Sequence, residues 1–121
     1  MAVTPSQFDL LSKMLSITML QHRVIAHNVA NVNTPNFHRL DVDFEQVLAR
    51  QVSHNKAADV EKAQPRVVED LRGPFRVDGN NVDINVEMGR LTKTAILHNA
   101  SVQILASKTD TMRRAIMGNR A

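Results

Sequence analysis

The chain has 121 residues, 43% of them hydrophobic and 22% charged, enough length and apolar content for one domain and unlike a disordered tail or a low-complexity fibre. It contains no cysteine, which excludes disulfides, thiolate chemistry and cysteine-based metal sites, and it has no run of 18 apolar residues that would span a membrane. The net charge is +3, with residues 1–60 balanced and the excess confined to residues 61–121, so no single basic tract dominates as it does in chains that bind nucleic acid through phosphate contacts.

The N-terminus has no basic stretch followed by an apolar one, so no secretory signal is expected. A helix start comes instead. In "VTPSQF", Thr4 is placed as N-cap, Pro5 at the first helical position and Gln7 three residues after the cap. Val3 and Phe8 would staple that turn. Phe8, Leu11, Leu15, Thr18, His22, Ile25 and Val29 then recur at spacings of 3 and 4, a mean period of 3.5, which is the beat of a coiled-coil seam. Leu10, Met14, Ile17 and Val24 widen the apolar face. The helix is expected from Pro5 to about Val32, roughly 40 Å long at about 1.5 Å per residue.

The helix ends in "HNVANVNTPNF". An ordinary C-cap needs one hydrogen-bonding side chain, whereas here Asn28, Asn31 and Asn33 precede Thr34-Pro35. Asn and Thr side chains bond free backbone groups in turns, and the residue before proline is biased away from helix. The stretch is expected to brace a sharp exit into extended chain. Residues 43–53 read as a short helix with Phe44, Val47 and Leu48 on one side, and residues 53–64 as a polar connection. "QPRVVEDL" and "PFRV" read as short extended pieces, and Asp78-Gly79 as a turn.

The last third repeats the heptad design. Ile84, Met88, Leu91, Ala95, His98, Val102, Leu105, Thr109, Met112 and Ile116 alternate strictly at 4 and 3, with Leu97 and Ile104 beside them. Asp83 is the expected N-cap, Glu87 suits the positive first turn, and Gly118 the stop. Arg113, Arg114 and Arg120 complement the negative end of the helix. Its length would be roughly 50 Å.

The predicted fold is mainly α. Residues 1–33 and 82–121 form a helical unit in which the two long helices pair as an antiparallel coiled coil. Residues 34–81 form a small, irregular, short-β central region. Only four aromatics occur, Phe8, Phe37, Phe44 and Phe75, so the core has to come from aliphatic side chains. Two helices cannot bury all the apolar surface these seams carry, and contiguous exposed apolar surface of that size marks a partner interface.

The residues give no case for chemistry. His22, His27, His38, His54 and His98 match no metal-binding spacing, and seam positions such as His22 and His98 set register more often than they bind metal. Asp41, Asp43 and Glu45 have no partner nucleophile and read as a solvated loop. No catalytic, cofactor-binding or metal-binding residues are therefore expected, and no small-molecule substrate. The competing class is a soluble coiled-coil adaptor or nucleic-acid-binding dimer. It would need a clustered basic segment abutting a heptad run, and neither seam is preceded by one.

A resemblance adds to this reading. "AHNVANVNTPNFHRLDVDF" is similar to the N-terminal signature of bacterial flagellar axial proteins, whose pattern is close to Asn-Ile/Val-Ala-Asn-x-x-Thr-Pro-Gly-Phe/Tyr. Asn28, Val29, Ala30, Asn31, Thr34, Pro35 and Phe37 match it. Asn36 stands where the family usually has glycine, and asparagine is the best substitute at a positive φ. "DGNNVDINVEMGRL" and a long helix ending "RRAIMG" resemble the C-terminal half of that family's proximal rod subunits. The resemblance implies a non-enzymatic subunit of the flagellar basal-body rod, which crosses the periplasm and carries torque from rotor to hook. Its partners would be further copies and neighbouring rod subunits, rotor-side adaptor and ring proteins, and the flagellar type III export gate, through which it would pass without a cleavable signal. In "FEQVL", Phe44 followed by Leu48 matches the gate-recognition pattern of early axial substrates.

Overall fold

The computed structural model describes residues 5–43 and 64–118. Four elements follow in order: α1 (Pro5–Ala30), β1 (Leu40–Asp43), β2 (Arg66–Glu69) and α2 (Ile84–Met117). The chain is mainly helical. Its two long helices pack against each other and β1 packs on α1. The expected short helix over 43–53, with Phe44 and Leu48, lies almost wholly outside the described residues. Among the described residues no helix is long and apolar enough to cross a membrane.

The strands pair antiparallel, with Leu40 opposite Glu69 and Asp43 opposite Arg66. Asp41 and Asp43 thus belong to a strand rather than to a loop. "PFRV" is not a strand: residues 77–79 form a turn closed by Gly79 N–H to Arg76 O at 2.9 Å. Its one β-branched residue, Val77, cannot outweigh Gly73 and Gly79, both at positive φ (94° and 81°).

The caps show why α2 occupies its span. The Asp83 carboxylate accepts from Asn85 N–H and Val86 N–H, the N-cap position expected from sequence. Gly118 leaves the helix at φ 61°, a conformation costly for residues with a Cβ.

Three polar contacts step down the helical pair and define it as antiparallel. Asn28 meets Glu87 at 3.2 Å, Thr18 meets His98 at 2.8 Å, and Gln7 meets Lys108 at 3.3 Å. The Thr18 hydroxyl also donates to Leu15 O at 2.9 Å, so its single hydrogen is committed and His98 Nδ1 donates to it. The apolar core is small: Ile17, Val24 and Ile25 of α1, Val42 of β1 and Val82 before α2 are each at most 7% exposed.

The face of α2 turned inward runs through Glu87, Leu91, Thr94, His98, Ser101, Leu105 and Lys108, all buried or half-buried. It shares Leu91, His98 and Leu105 with the stripe read from sequence. Ile84, Met88, Val102, Met112 and Ile116 of that stripe are 37–80% exposed in the single chain. On α1, Phe8, Leu11, Leu15 and Val29 are half-buried and Ile25 is buried. The small side chains Thr94 and Ser101 take the inward positions, with the Ser101 hydroxyl bonded to its own helix at Leu97 O (2.8 Å).

Replacing Ile17, 3% exposed, by alanine should cost about 2–4 kcal/mol. Met19→Ala, at a position 57% exposed, should stay within about 0.5 kcal/mol. Urea unfolding of the two purified variants against the parent measures both.

Candidate functional site

The most concentrated side-chain chemistry lies where α1 ends, β1 begins and α2 starts. Six polar residues there are nearly sealed from water: Asn28, Asn80 and Glu87 at 0%, Arg39 at 6%, Asp70 at 7% and Asn81 at 8% exposed.

The exit from α1 is built locally first. Asn31 N–H reaches back to His27 O and Asn28 O (3.2 and 3.1 Å), and its side chain donates to His27 O at 2.9 Å. Thr34 N–H donates to Asn31 O at 3.0 Å and its hydroxyl to Asn31 Oδ1 at 3.2 Å. Pro35 then prevents helix from resuming, and Asn36 takes φ 60°, the left-handed conformation that asparagine tolerates. Phe37 turns back over α1, its ring edge against His27 with centroids 5.6 Å apart.

A second loop plugs this exit. Asn80 Nδ2 lies 2.9, 3.2 and 2.9 Å from the carbonyl oxygens of Asn31, Val32 and Thr34. It thereby satisfies acceptors that a helix end leaves without partners. Its Oδ1 accepts from Val82 N–H at 2.7 Å, which shapes the chain entering α2. The loop is also pinned by Asn36 N–H to Asp78 O at 2.8 Å and by Arg76, which donates to Val32 O. Gly79 sits so close to Asn36 that a Cβ would lie 2.5 Å from Asn36 Oδ1. The "NTPN" and "DGNN" stretches are therefore two halves of one joint.

Below the plug lies the charged centre. Arg39 Nε donates to Glu87 Oε1 at 2.7 Å and Nη1 to Asp70 Oδ2 at 2.5 Å. Asn28 Nδ2 donates to the other Glu87 oxygen at 3.2 Å, and its amide also pairs with both Leu40 N–H and Leu40 O at 2.8 Å. The Asn28 side chain thus acts as a neighbouring strand along the edge of β1. Asn81 plays a similar part inside the ladder. Asp70 N–H donates to Arg39 O at 2.9 Å, but the reciprocal bond is carried by the Asn81 amide, which accepts from Arg39 N–H (2.7 Å) and donates to Asp70 O (2.6 Å).

Burial works against the Arg39 charge, but the hydrogen bond to Glu87 and the carboxylates of Glu87, Asp41 and Asp70 outweigh it and raise its pKa above the usual value. The Arg72 side-chain hydrogen bond, opposed by burial and helped by the Arg72 backbone and the Arg39 charge, lowers Asp70 to about 2. Among the described residues no three His, Asp or Glu side chains form a metal-binding group. Saturated in this way, the centre holds parts together; it offers no free base or nucleophile.

The structure brings Asn28, Asn31 and Thr34 of the sequence motif into the joint, leaves Pro35 exposed at the turn and packs Phe37 on α1. Sequence patterning does not single out Arg39, Asp70, Asn80 and Asn81, and it marks Glu87 only as a first-turn charge. The usable signal was "DGNN" itself: an Asn pair after a turn is more than a turn needs.

A two-helix chain clamped at one end by a saturated polar joint, with apolar side chains along its outer faces, is built as an assembly subunit. The comparisons with known proteins agree. No family model matches. The chain is 31% identical over 116 residues to a flagellar basal body rod protein FlgB of Borrelia hermsii, covering 81% of this chain and 86% of the relative. It is 28% identical over 114 residues to that of Aquifex aeolicus and 25% over 119 residues to that of Bacillus subtilis, each covering 91% of this chain and 92% of the relative. The chain belongs to the family of flagellar basal body rod protein FlgB.

The depressed Asp70 fixes an acid limit. A carboxylate with a lowered folded-state pKa contributes stability that is complete above its ordinary value and lost as pH falls through the folded one. With Asp70 at about 2 against an ordinary 3.8, on the order of 1–2 kcal/mol should disappear between about pH 4 and pH 2. Asp70→Asn should be less stable at neutral pH and lack that part of the slope, as read by urea unfolding in steps across the window.

Proposed function

We propose that the chain is a structural subunit of the bacterial flagellar basal-body rod, non-enzymatic, built into a helical assembly that carries torque from the rotor to the hook. Family membership supports the rod. The observation that carries the assembly is the apolar stripe left along α2, where Ile84, Met88, Val102, Met112 and Ile116 are each 37–80% exposed. That surface is too continuous for an isolated soluble chain and has the heptad spacing that calls for other helices. Torque needs a subunit whose parts do not swivel, and the joint supplies one: every hydrogen-bonding atom of Asn28 and both oxygens of Glu87 are committed to named partners.

The same reading takes residues 1–33 with 82–121 as the helical unit and residues 34–81 as the central region that meets neighbours. It places the subunit in a rod that crosses the periplasm, beside other rod subunits and rotor-side adaptor and ring proteins. Delivery through the type III export gate, without a cleaved signal, rests on Phe44 and Leu48 in "FEQVL".

Two outcomes are expected. Met88→Asp, at a position 49% exposed, should change the stability of the free subunit by no more than about 0.5 kcal/mol. It should nevertheless abolish recovery of the subunit in purified basal bodies, because a carboxylate buried at a helix contact goes unpaired. Normal motility of that variant would overturn the assembly reading. Phe44→Ala should reduce export of the subunit from a strain arrested before rod completion while its level inside the cell holds. Unchanged export would remove the gate role from Phe44 and Leu48.

A further inference from the structure

Where α1, β1 and the first half of α2 meet, a cleft of about 460 Å³ opens beside the joint. Part of its lining is apolar, with Met14 half-buried on α1 and Leu97 39% exposed on α2. The rest includes two basic side chains of α2, Arg90 and Lys93. Arg90 Nε is sealed from water and is the one such side-chain nitrogen or oxygen among the described residues without a hydrogen-bond partner. Its Nη1 comes no closer than 3.6 Å to Asp41 Oδ2, and Arg39 and Arg72 crowd the same oxygen at 3.9 and 3.8 Å. Three guanidiniums thus share one carboxylate oxygen, and none is within hydrogen-bonding distance of it. Arg39 has Glu87 and Asp70 as closer partners and Arg72 has Asp70. Arg90 has no closer carboxylate among the described residues, and Lys93, which is exposed, has no ion pair there at all.

We propose that this cleft binds a segment of a different protein in which an Asp or Glu stands beside an aliphatic side chain. The carboxylate sits between Arg90 and Lys93, and the aliphatic side chain lies against Met14 and Leu97. The proposal rests on the rod-subunit reading and gives the chemistry of one neighbour. A carboxylate is the group that suits Arg90, because its two oxygens accept in parallel from the edge of a guanidinium. The Arg90 side chain is 41% exposed, so it is free to turn Nε toward an incoming acceptor. A buried donor without an acceptor is penalised in the free chain, and binding removes that penalty. A neighbour of another kind is favoured over a second copy by charge. The chain is net +3, and several of its own acids are held in internal pairs, Glu69 with His38, Asp78 with Arg76 and Asp110 with Arg114.

A water-soluble carbodiimide joins a lysine amine to a carboxylate already in contact with it, forming an amide with loss of water. Basal bodies carrying the full-length parent chain are treated in this way, and the products containing Lys93 are sequenced by mass spectrometry. Lys93 should be joined to an Asp or Glu of a different basal-body protein, next to a Val, Ile, Leu or Met. Arg90→Met should lower that product at least tenfold per subunit recovered, while the free variant unfolds at the urea midpoint of the parent. Coupling of Lys93 to a carboxylate of its own chain, or of a second copy, would overturn the proposal. So would the absence of any Lys93 product where other lysines couple, an undiminished yield from Arg90→Met, or a fall in that variant's midpoint, which would make Arg90 an internal contact. In all of these cases the subunit is still present in the basal body and the rod reading survives. Failure of the untreated parent chain to appear in basal bodies would overturn both.

Discussion

The guanidinium of Arg39 is the group around which this structure is arranged. A cation taken out of water is heavily penalised unless it is paired and hydrogen-bonded. Arg39 is 6% exposed, so its partners have to be brought to it. One is Glu87 in the first turn of α2 and the other is Asp70 at the end of β2. Glu87, itself sealed from water, needs a donor for its second oxygen, and Asn28 supplies it from the last turn of α1. Satisfying one buried charge therefore draws both helices and both strands to the same point. Removing Arg39 would leave Glu87 buried without its cation, so the two helices and the strands are held at this point together.

Away from the joint the helical pair is weakly apolar on the inside. The inward face of α2 carries Thr94, His98, Ser101 and Lys108 among its contacts, while valine, isoleucine and methionine side chains lie outward. For an isolated protein that arrangement is inverted. For a subunit it follows directly: the single chain needs enough interior to hold one shape, and the larger apolar gain is reserved for contact with neighbours.

The joint and the exposed apolar side chains of α2 are suited to different mechanical tasks. Apolar contact works through dispersion and burial, which tolerate small displacements. Hydrogen bonds and ion pairs at 2.5–3.2 Å do not, and they set the angle between the helical pair and the strands. A shaft that transmits torque needs both kinds of contact, compliant area between subunits and stiff geometry within each.

Local chemistry determined a large part of this protein on its own. The two long helices follow from heptad spacing. The positive φ at Asn36 follows from the resemblance to the axial signature, where glycine usually stands, whereas Asp83 and Gly118 as the ends of α2 follow from backbone rules that involve a few adjacent residues. The asparagine-rich exit from α1 was legible as a brace for the same reason. The joint was not. Arg39 and Glu87 are 48 positions apart and Arg39 and Asp70 are 31 apart, and no pattern of residue types pairs one charge with another across such distances. Nor could the spacing decide which flank of the α2 stripe turns inward. The stripes through Met88 and through Glu87 differ by one residue and both keep the heptad beat. Only the tertiary structure chooses between them, because the pairing of Glu87 with Arg39 and Asn28 rotates α2 so that the carboxylate is buried and the methionine is left outside.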